Sequence, residues 1–270
     1  MTQKYENGNL VLNLDDDFDL GLCLDCGQAF RWKQDENGNW QGVAYSKKLS
    51  VTQNGDTVTF LDTTPEDFEN IWSKYFDLKR NYREVVAGYT EENIKTACAQ
   101  YPGIRILKQD EWEAICSFII SANNNIPRIK GIIERLCENF GEDLSGAYSF
   151  PSPEKLAPLT VEDLAPLRAG FRAKYILDAA RKISSGEVDI DKIKTLPFAE
   201  AKAELLKIKG VGEKVAQCSL LYGFGRVEAF PVDVWVKRIL EELYPEGLPQ
   251  CIEGTQGIAQ QYLFHWRRNI

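Results

Sequence analysis

The segment LLKIKGVGEKVAQC, residues 205–218, contains the pattern that decides the fold of the second half of the chain. A helical pattern ends here, two glycines follow at Gly210 and Gly212, and a second helical pattern begins at once. Glycine permits positive φ and close backbone approach, and the free amides at a helix start favour anions. The segment therefore predicts a helical hairpin whose backbone can bind a phosphate. A plain connection between two helices is the alternative.

Two polar side chains accompany this hairpin. Lys214 lies in the first turn of the second predicted helix, with Cys218 four residues later on the same face. Asp233, within FPVDV at 230–234, begins the next predicted helix. A lysine and an aspartate at neighbouring helix starts are a plausible nucleophile and its electrostatic partner. In isolation, a solvated lysine and a helix-capping aspartate are the simpler interpretations.

Five separated motifs resemble one protein family. They are GVGEK (210–214) with PVD (231–233), SANNNIPRI (121–129), GFRAKY (170–175), GQAFRW (27–32) and AQQYLF (259–264). The first is similar to the helix-hairpin-helix and Gly/Pro-Asp signature of the base-excision DNA glycosylase superfamily. The other four resemble its 8-oxoguanine DNA glycosylase branch, and the likeness runs from near residue 20 to the end of the sequence.

The resemblance implies a bifunctional glycosylase and apurinic-site lyase that excises 8-oxoguanine, preferably opposite cytosine, from double-stranded DNA. It makes Lys214 the nucleophile that attacks C1′, displaces the base and forms a Schiff base, after which β-elimination nicks the strand. It assigns to Asp233 the stabilisation of positive charge on the sugar. Such an enzyme extrudes the target nucleotide from the duplex.

The resemblance also assigns residues to the flipped base. The carbonyl of Gly27 would accept the N7 hydrogen that 8-oxoguanine has and guanine lacks. Gln260 would read the Watson–Crick edge of the base, and Cys218 and Phe264 would stack on its two faces. Without the family pattern, Cys218 and Phe264 are ordinary core residues.

Four further residues match the family's contacts to the orphaned base. Asn123 would fill the space that the flipped nucleotide leaves, and Phe171 would wedge beside the orphaned base. Arg128 and Arg172 match the arginines that read the orphaned cytosine with planar donors. The simpler interpretations are an asparagine-rich turn between helices and exposed arginines.

The hairpin backbone is expected to contact DNA through residues Gly210, Val211, Gly212 and Glu213. The family's hairpin can bind a monovalent or other cation, here through the carbonyls of Leu206, Ile208 and Val211. The resemblance implies no required cofactor. Three positions depart from the pattern: Trp235 replaces a histidine of the animal enzymes, Phe171 replaces a tyrosine, and Tyr222 stands where methionine is frequent.

The patterning along the chain predicts an α+β fold. Short alternating segments at 9–14, 29–33, 40–45, 48–53 and 57–61 predict an antiparallel meander. Helical patterns follow at about 65–77, 81–89, 91–100, 110–122, 126–140, 161–184 with a break near Gly170, 197–207, 213–223, 233–244 and 255–268. We expect an N-terminal antiparallel β-sheet domain with flanking helices over residues 1–105. A predominantly α-helical glycosylase region follows over 106–270, with the hairpin at 199–224 and the last helix packing back near the N-terminal domain.

The charge distribution explains how an acidic chain can bind DNA. The 270 residues are 44% hydrophobic and 27% charged, which excludes disordered and collagen-like classes. The net charge of −8 argues at face value against a polyanionic partner. Residues 1–70 contain 13 acidic and five basic residues, so this segment accounts for the entire excess of negative charge. Residues 165–184 and 201–240, in contrast, are locally basic. We expect the acidic sheet to face away from DNA and nonspecific affinity to be modest and salt-sensitive.

Cysteine usage and hydropathy indicate an intracellular protein without a membrane span, and we expect it to be a monomer. The seven cysteines are an odd number without framework spacing, and the first residues show no export signal. Cys23 and Cys26 form one C-x-x-C pair, but the single histidine, His265, is distant in sequence, so two buried thiols are favoured over zinc. No apolar run approaches about 18 residues.

Three other classes of enzyme are disfavoured by the residues that they would require. A branch of the endonuclease III kind has a four-cysteine iron–sulfur cluster after the aspartate, whereas only Cys251 follows here. Glycosylases for alkylated bases usually lack the hairpin lysine, and zinc deaminases need a His/Cys/Cys cluster. The alternatives that stay open are a glycosylase of this superfamily for another damaged base and a non-catalytic helix-hairpin-helix DNA-binding protein.

Overall fold

A computed structural model describes residues 2–269. The strands are β1 Thr2–Glu6, β2 Asn9–Asn13, β3 Trp32–Gln34, β4 Trp40–Ala44, β5 Lys47–Asn54 and β6 Thr57–Leu61. They form a six-stranded antiparallel sheet in the order β1-β2-β6-β5-β4-β3. The rest of the chain is mainly helical, so the predicted fold class is confirmed.

The helices vary widely in length. They are α1 Leu20–Asp25, α2 Pro65–Asp67, α3 Ser73–Tyr75, α4 Tyr82–Ala87, α5 Glu92–Gln100, α6 Glu111–Ser121, α7 Ile126–Phe140, α8 Pro153–Leu156, α9 Ala173–Ser184, α10 Ile190–Thr195, α11 Phe198–Leu206, α12 Glu213–Tyr222, α13 Val234–Leu243 and α14 Gln256–Arg268. A π-helical turn at Phe68–Trp72 joins α2 to α3. None of the helices within residues 2–269 combines the length and the apolar character needed to cross a membrane.

The prediction of a simple meander is wrong for the first strands. β3 to β6 are consecutive neighbours, but β2 pairs with β6, and β1, which was not predicted, pairs with β2. Helix α1, capped by the Asp19 carboxylate on the Leu22 N–H, separates β2 from β3 along the chain. The buried Leu10 and Leu12 of β2 then pair with Phe60 and Val58 of β6, which completes an apolar face.

The predicted long helix at 161–184 is also wrong in its first half. Only short 3₁₀ turns form at Ala165–Leu167 and Gly170–Arg172, and α9 begins at Ala173. Arg168 and Gly170 both adopt positive φ, a conformation that a right-handed helix cannot contain. The short helices α1, α8 and α10 were not predicted, although Asp19, Ser152 and Asp189 cap them.

The chain divides into two compact units. The first contains residues up to 42, 49–108 and those from 225 onward, and the second contains 43–48 and 109–224. In the first unit, α14 packs against α5, and the Tyr262 hydroxyl donates to the Ile104 carbonyl at 3.1 Å. The structure thus groups α13 and α14 with the sheet, whereas the predicted division after residue 105 assigned them to the helical region.

Candidate functional site

The predicted hairpin is present between α11 and α12. Gly210 has φ +84°, and a Cβ there would lie 2.4 Å from Cγ of Tyr175, so the position requires glycine. Gly212 precedes α12 with φ −99° and provides no side chain to cap the helix. The first amides of α12 therefore have no side-chain cap and are suited to an anionic ligand.

Helix α9 holds the hairpin through two charged side chains that the sequence patterns did not reveal. The Asp178 carboxylate accepts a 2.8 Å hydrogen bond from the Lys209 N–H. The Lys182 ammonium donates to the Lys207 carbonyl at 2.6 Å and lies 3.6 Å from Asp178. Their i, i+4 spacing on α9 is the only local signal of this pairing.

The carbonyls predicted to surround a cation lie in this turn. The Ile208 carbonyl accepts a 3.1 Å hydrogen bond from the Val211 N–H and keeps a second lone pair. Within residues 2–269, no group of three His, Cys, Asp or Glu side chains is close enough to ligate a metal. The hairpin therefore offers backbone carbonyl oxygens as ligands for a cation, and the cation itself stays a prediction.

Lys214 lies half-buried against a polar group and an aromatic ring. Its ammonium is 3.2 Å from the Ser121 hydroxyl, which itself donates to the Phe118 carbonyl at 2.8 Å. The ammonium is also 5.5 Å from the centre of the Phe118 ring, which stacks on Tyr222 at 5.3 Å and 23°. Ser121 therefore accepts from Lys214, and the two contacts fix the amine.

Two other predicted site residues lie on α12, one of them buried and the other exposed. Cys218 is buried, one turn beyond Lys214. The exposed Glu213 carboxylate accepts a 2.7 Å hydrogen bond from Lys202, which lowers the pKa of Glu213. Because this carboxylate is paired with a lysine, the group that Glu213 offers to an anion is its backbone N–H.

The asparagine turn after α6 has a strained backbone and is held by Arg172. Asn123 is exposed and has φ +48°, which is uncommon outside glycine. The Arg172 guanidinium donates to the Ala122 carbonyl at 2.6 and 3.0 Å and to the Asn123 carbonyl at 2.7 Å. Arg172 is 2% exposed, so the interpretation as an exposed arginine is wrong.

The other two predicted residues of this region are accessible. Phe171 is 51% exposed, and its ring lies 4.5 Å from the Arg172 guanidinium carbon. Arg128 is exposed at the start of α7, and its N–H is capped by the Asn125 side chain at 3.0 Å. Pro127 is accommodated in the first turn of α7, so it does not shift the helix start away from Arg128.

In the first unit, Asp233 begins α13 as predicted. Its carboxylate accepts a 2.8 Å hydrogen bond from the Val236 N–H, so the capping interpretation is confirmed. The side chain is half-buried, and the second carboxylate oxygen has no hydrogen bond within residues 2–269. A cap and an electrostatic role are therefore compatible, because they use different oxygens.

The three remaining candidates of this unit lie on α14 and after α1. Gln260 is 4% exposed, and its amide oxygen has no hydrogen-bond partner among the described residues. Phe264 follows it one turn later on α14 and is half-buried. Gly27 has φ +89° directly after Cys26, whose carbonyl accepts from the Gln261 amide of α14 at 3.4 Å. An unpartnered buried amide oxygen costs free energy unless a ligand donates to it.

The C-x-x-C pair consists of two neutral thiols. Cys23 and Cys26 are both buried, and the Cys23 thiol donates to the Gly103 carbonyl at 3.4 Å. Burial raises the pKa of Cys26 to about 12 and moves that of Cys23 in the same direction. The prediction of two ordinary buried thiols is confirmed.

The sequence matches two known protein families and a characterised relative. Residues 11–115 match the family described as 8-oxoguanine DNA glycosylase, N-terminal domain, and 116–248 match the HhH-GPD superfamily base excision DNA repair protein. An N-glycosylase/DNA lyase of Saccharomyces cerevisiae is 33% identical over 89% of this chain and 72% of its own length. This chain belongs to the 8-oxoguanine DNA glycosylase family.

Two solved structures are similar to this chain over almost its whole length. The structure of Clostridium acetobutylicum 8-oxoguanine glycosylase/lyase in complex with dsDNA containing cytosine opposite to 8-oxoG has a TM-score of 0.92 and 38% identity, and covers 100% of this chain and 98% of that one. MBOgg1, solved in complex with a low affinity DNA ligand, has a TM-score of 0.93 and 41% identity, with 99% and 98% covered.

The positions that depart from the family pattern have defined surroundings. Trp235 is 40% exposed on α13, and the Arg238 guanidinium lies 5.2 Å from its ring. Tyr222 is buried and forms the far side of the aromatic stack beneath Lys214. Tyr222 therefore contacts the same Phe118 ring over which the Lys214 ammonium lies.

Proposed function

We propose that this chain is a bifunctional DNA glycosylase and apurinic-site lyase that excises 8-oxoguanine from double-stranded DNA, preferably opposite cytosine. The observation that supports it most strongly is Lys214, fixed by Ser121 and Phe118 in the first turn of α12, directly after a hairpin with uncapped amides. In a member of this family, that combination supplies a nucleophile next to a phosphate-binding turn.

In the proposed reaction, the neutral amine of Lys214 attacks C1′ of the damaged nucleotide. The bond from C1′ to the base breaks, and its electron pair leaves with the base, which takes up a proton. Ring opening gives a Schiff base between Lys214 and the sugar, and loss of a C2′ proton expels the 3′ phosphate. The Asp233 carboxylate stabilises the positive charge that the sugar acquires as the base departs.

Base recognition uses the acceptors of the first unit. The buried amide oxygen of Gln260, unpartnered within the described residues, accepts a hydrogen bond from the Watson–Crick edge of the flipped base. The Gly27 carbonyl accepts from N7–H of 8-oxoguanine, whereas guanine would present a lone pair there. Cys218 and Phe264 provide the apolar faces on which the base stacks.

The opposite strand is read by the turn after α6. Asn123, held in its left-handed conformation by Arg172, fills the space of the extruded nucleotide, and Phe171 wedges beside the orphaned base. Arg128 is the exposed cytosine reader. Arg172 is 2% exposed, so it supports this recognition indirectly, by holding the turn through the carbonyls of Ala122 and Asn123.

Hairpin binding to the DNA backbone predicts different effects for its two glycines. Gly210→Ala should lower the free energy of unfolding by about 1–3 kcal/mol, because of its positive φ and the Tyr175 ring. Gly212→Ala has negative φ and no neighbour within 4 Å of the new Cβ, so it should cost less than about 1 kcal/mol. It should nevertheless weaken duplex binding, since a phosphate approaches this backbone. Thermal melting and fluorescence anisotropy measure both effects, and unchanged duplex affinity of Gly212→Ala would contradict hairpin binding.

The oligomeric state, location and cofactor requirement of the protein belong to the same proposal. It acts as a monomer, with DNA inside the cell, and needs no cofactor. Any cation in the hairpin is bound by the carbonyls of Leu206, Ile208 and Val211. Sedimentation with and without duplex tests the monomer, and excision assays in chelator test the cofactor requirement.

Single-turnover assays on four duplexes test the function as a whole. Each duplex contains 8-oxoguanine opposite one of the four bases, and each reaction is analysed with and without alkali. We expect the fastest base release opposite cytosine, with strand cleavage that does not require alkali. Absence of 8-oxoguanine release in every duplex would refute the proposal, and release that gives breaks only after alkali would refute its lyase part.

A further inference from the structure

Gln28 is a fully buried side chain whose amide is occupied by backbone groups. It is 0% exposed. Its Nε2 donates to the Cys23 carbonyl at 3.0 Å and to the Arg105 carbonyl at 2.8 Å, and its Oε1 accepts from the Leu107 N–H at 2.9 Å. A buried glutamine with this many backbone partners holds two chain segments in one relative position. The first segment is the end of α1, and the second is the stretch that precedes α6.

The segment that Gln28 contacts after α5 is itself fixed. The Arg105 guanidinium is 1% exposed and donates to the Asp16 carboxylate at 2.8 Å and to the backbone carbonyls of Asp77 and Arg80. The Arg105 N–H also donates to the Cys23 sulfur at 3.2 Å. The stretch around Arg105 is therefore a firm support for the turn that follows α1.

Gly27 lies in that turn, between two residues that are held. Gln28 follows it, and its amide also contacts the sulfur of the preceding Cys26 at 3.3 Å. The Cys26 carbonyl accepts from Gln261 of α14, the neighbour of Gln260. Gly27 itself has φ +89°, where glycine has broad conformational freedom. The residues on both sides of Gly27 are thus held by hydrogen bonds, whereas Gly27 itself has no side chain that could fix its backbone.

We propose that Gln28 is a positioning residue for lesion specificity, which fixes the Gly27 carbonyl at the point where it meets N7 of the flipped base. This inference rests on the proposed function. A hydrogen bond depends steeply on distance and angle, so a carbonyl that can turn away loses both its attraction for N7–H and its repulsion of guanine. Gln28 touches neither the base nor the sugar, and it acts through Gly27.

The test compares a substrate that needs the base pocket with one that does not. Gln28→Met keeps the length of the side chain and removes its hydrogen bonds. We expect about 10- to 100-fold slower single-turnover excision of 8-oxoguanine opposite cytosine. Cleavage of a preformed abasic site opposite cytosine should stay within about twofold, because Lys214 reacts there without a base in the pocket. The ratio of the two rates is the diagnostic quantity.

A matched control separates positioning from general destabilisation. Phe68→Leu truncates a buried side chain of the π-helical turn, which packs on Phe60 of β6 in the same unit. It should lower the melting temperature and leave the ratio of the two rates as in the wild type. If Gln28→Met does not fold, Gln261→Met removes the bond to the Cys26 carbonyl and should lower the ratio in the same direction.

The outcomes distinguish this inference from the proposed function. A wild-type protein that does not release 8-oxoguanine refutes the proposed function, and with it this role of Gln28. A wild-type protein that does release it, with Gln28→Met slowing both substrates equally or neither, refutes the positioning role alone. Selective loss of 8-oxoguanine excision in Gln28→Met supports it.

Discussion

Lys214→Gln should remove strand cleavage and reduce 8-oxoguanine release by on the order of 10³-fold or more, because the reaction loses its nucleophile. Glutamine has no basic amine, but its amide can still donate to the Ser121 hydroxyl that Lys214 contacts. The fold should therefore persist, with a melting temperature close to that of the wild type. Denaturing gels of single-turnover reactions measure cleavage, and mass spectrometry of the supernatant measures the released base.

Lys192→Gln is the matched control for this variant. Lys192 is an exposed lysine on α10 of the same unit, 3.7 Å from Glu204, and surface pairs of this kind contribute little. The change in charge is identical, so both rates should equal those of the wild type. Cleavage by Lys214→Gln at the wild-type rate would contradict the role of Lys214.

Asp233→Asn should slow base release by roughly 10²–10³-fold while it leaves the fold intact. The carboxylate charge is lost, but asparagine is about as good an N-cap as aspartate and can still accept from the Val236 N–H. The free energy of unfolding should therefore change by less than about 1 kcal/mol. Single-turnover rates and thermal melting, measured on the same preparation, separate the two contributions.

Asp233→Ala completes the comparison. This variant loses both the charge and the cap, so it should be as slow as Asp233→Asn and also less stable by about 1 kcal/mol. For a chain of this length, that corresponds to about 2–4 °C in melting temperature. Wild-type rates for Asp233→Asn, with loss of activity only in Asp233→Ala, would mean that the aspartate acts as a cap alone.

The sequence predicts the parts of the site that depend on local chemistry. The hairpin follows from two glycines between helical patterns, and the start of α13 follows from an aspartate before an apolar run. The surroundings of Lys214 were not predicted. Ser121 lies 93 residues earlier in the chain, and nothing in its neighbourhood indicates a contact with a lysine on α12.

The errors in the predicted fold also come from contacts between residues that are distant in sequence. The pairing of β2 with β6 joins Leu10 to Phe60, and the alternation of each strand is compatible with several partners. The simpler interpretation of Arg172 as an exposed arginine fails because its guanidinium is satisfied by two carbonyls about 50 residues earlier in the chain. Long-range hydrogen bonds decide both cases, and neither a short motif nor a hydropathy period encodes them.

The most direct test of the proposed chemistry is to locate the covalent adduct. The wild-type protein is incubated with an 8-oxoguanine:cytosine duplex in the presence of borohydride, which reduces a Schiff base to a stable bond, and the trapped complex is digested for peptide mass spectrometry. We predict a single DNA adduct on the peptide that contains Lys214, at the Lys214 amine. An adduct on another residue, or no adduct while 8-oxoguanine is released, would contradict the account.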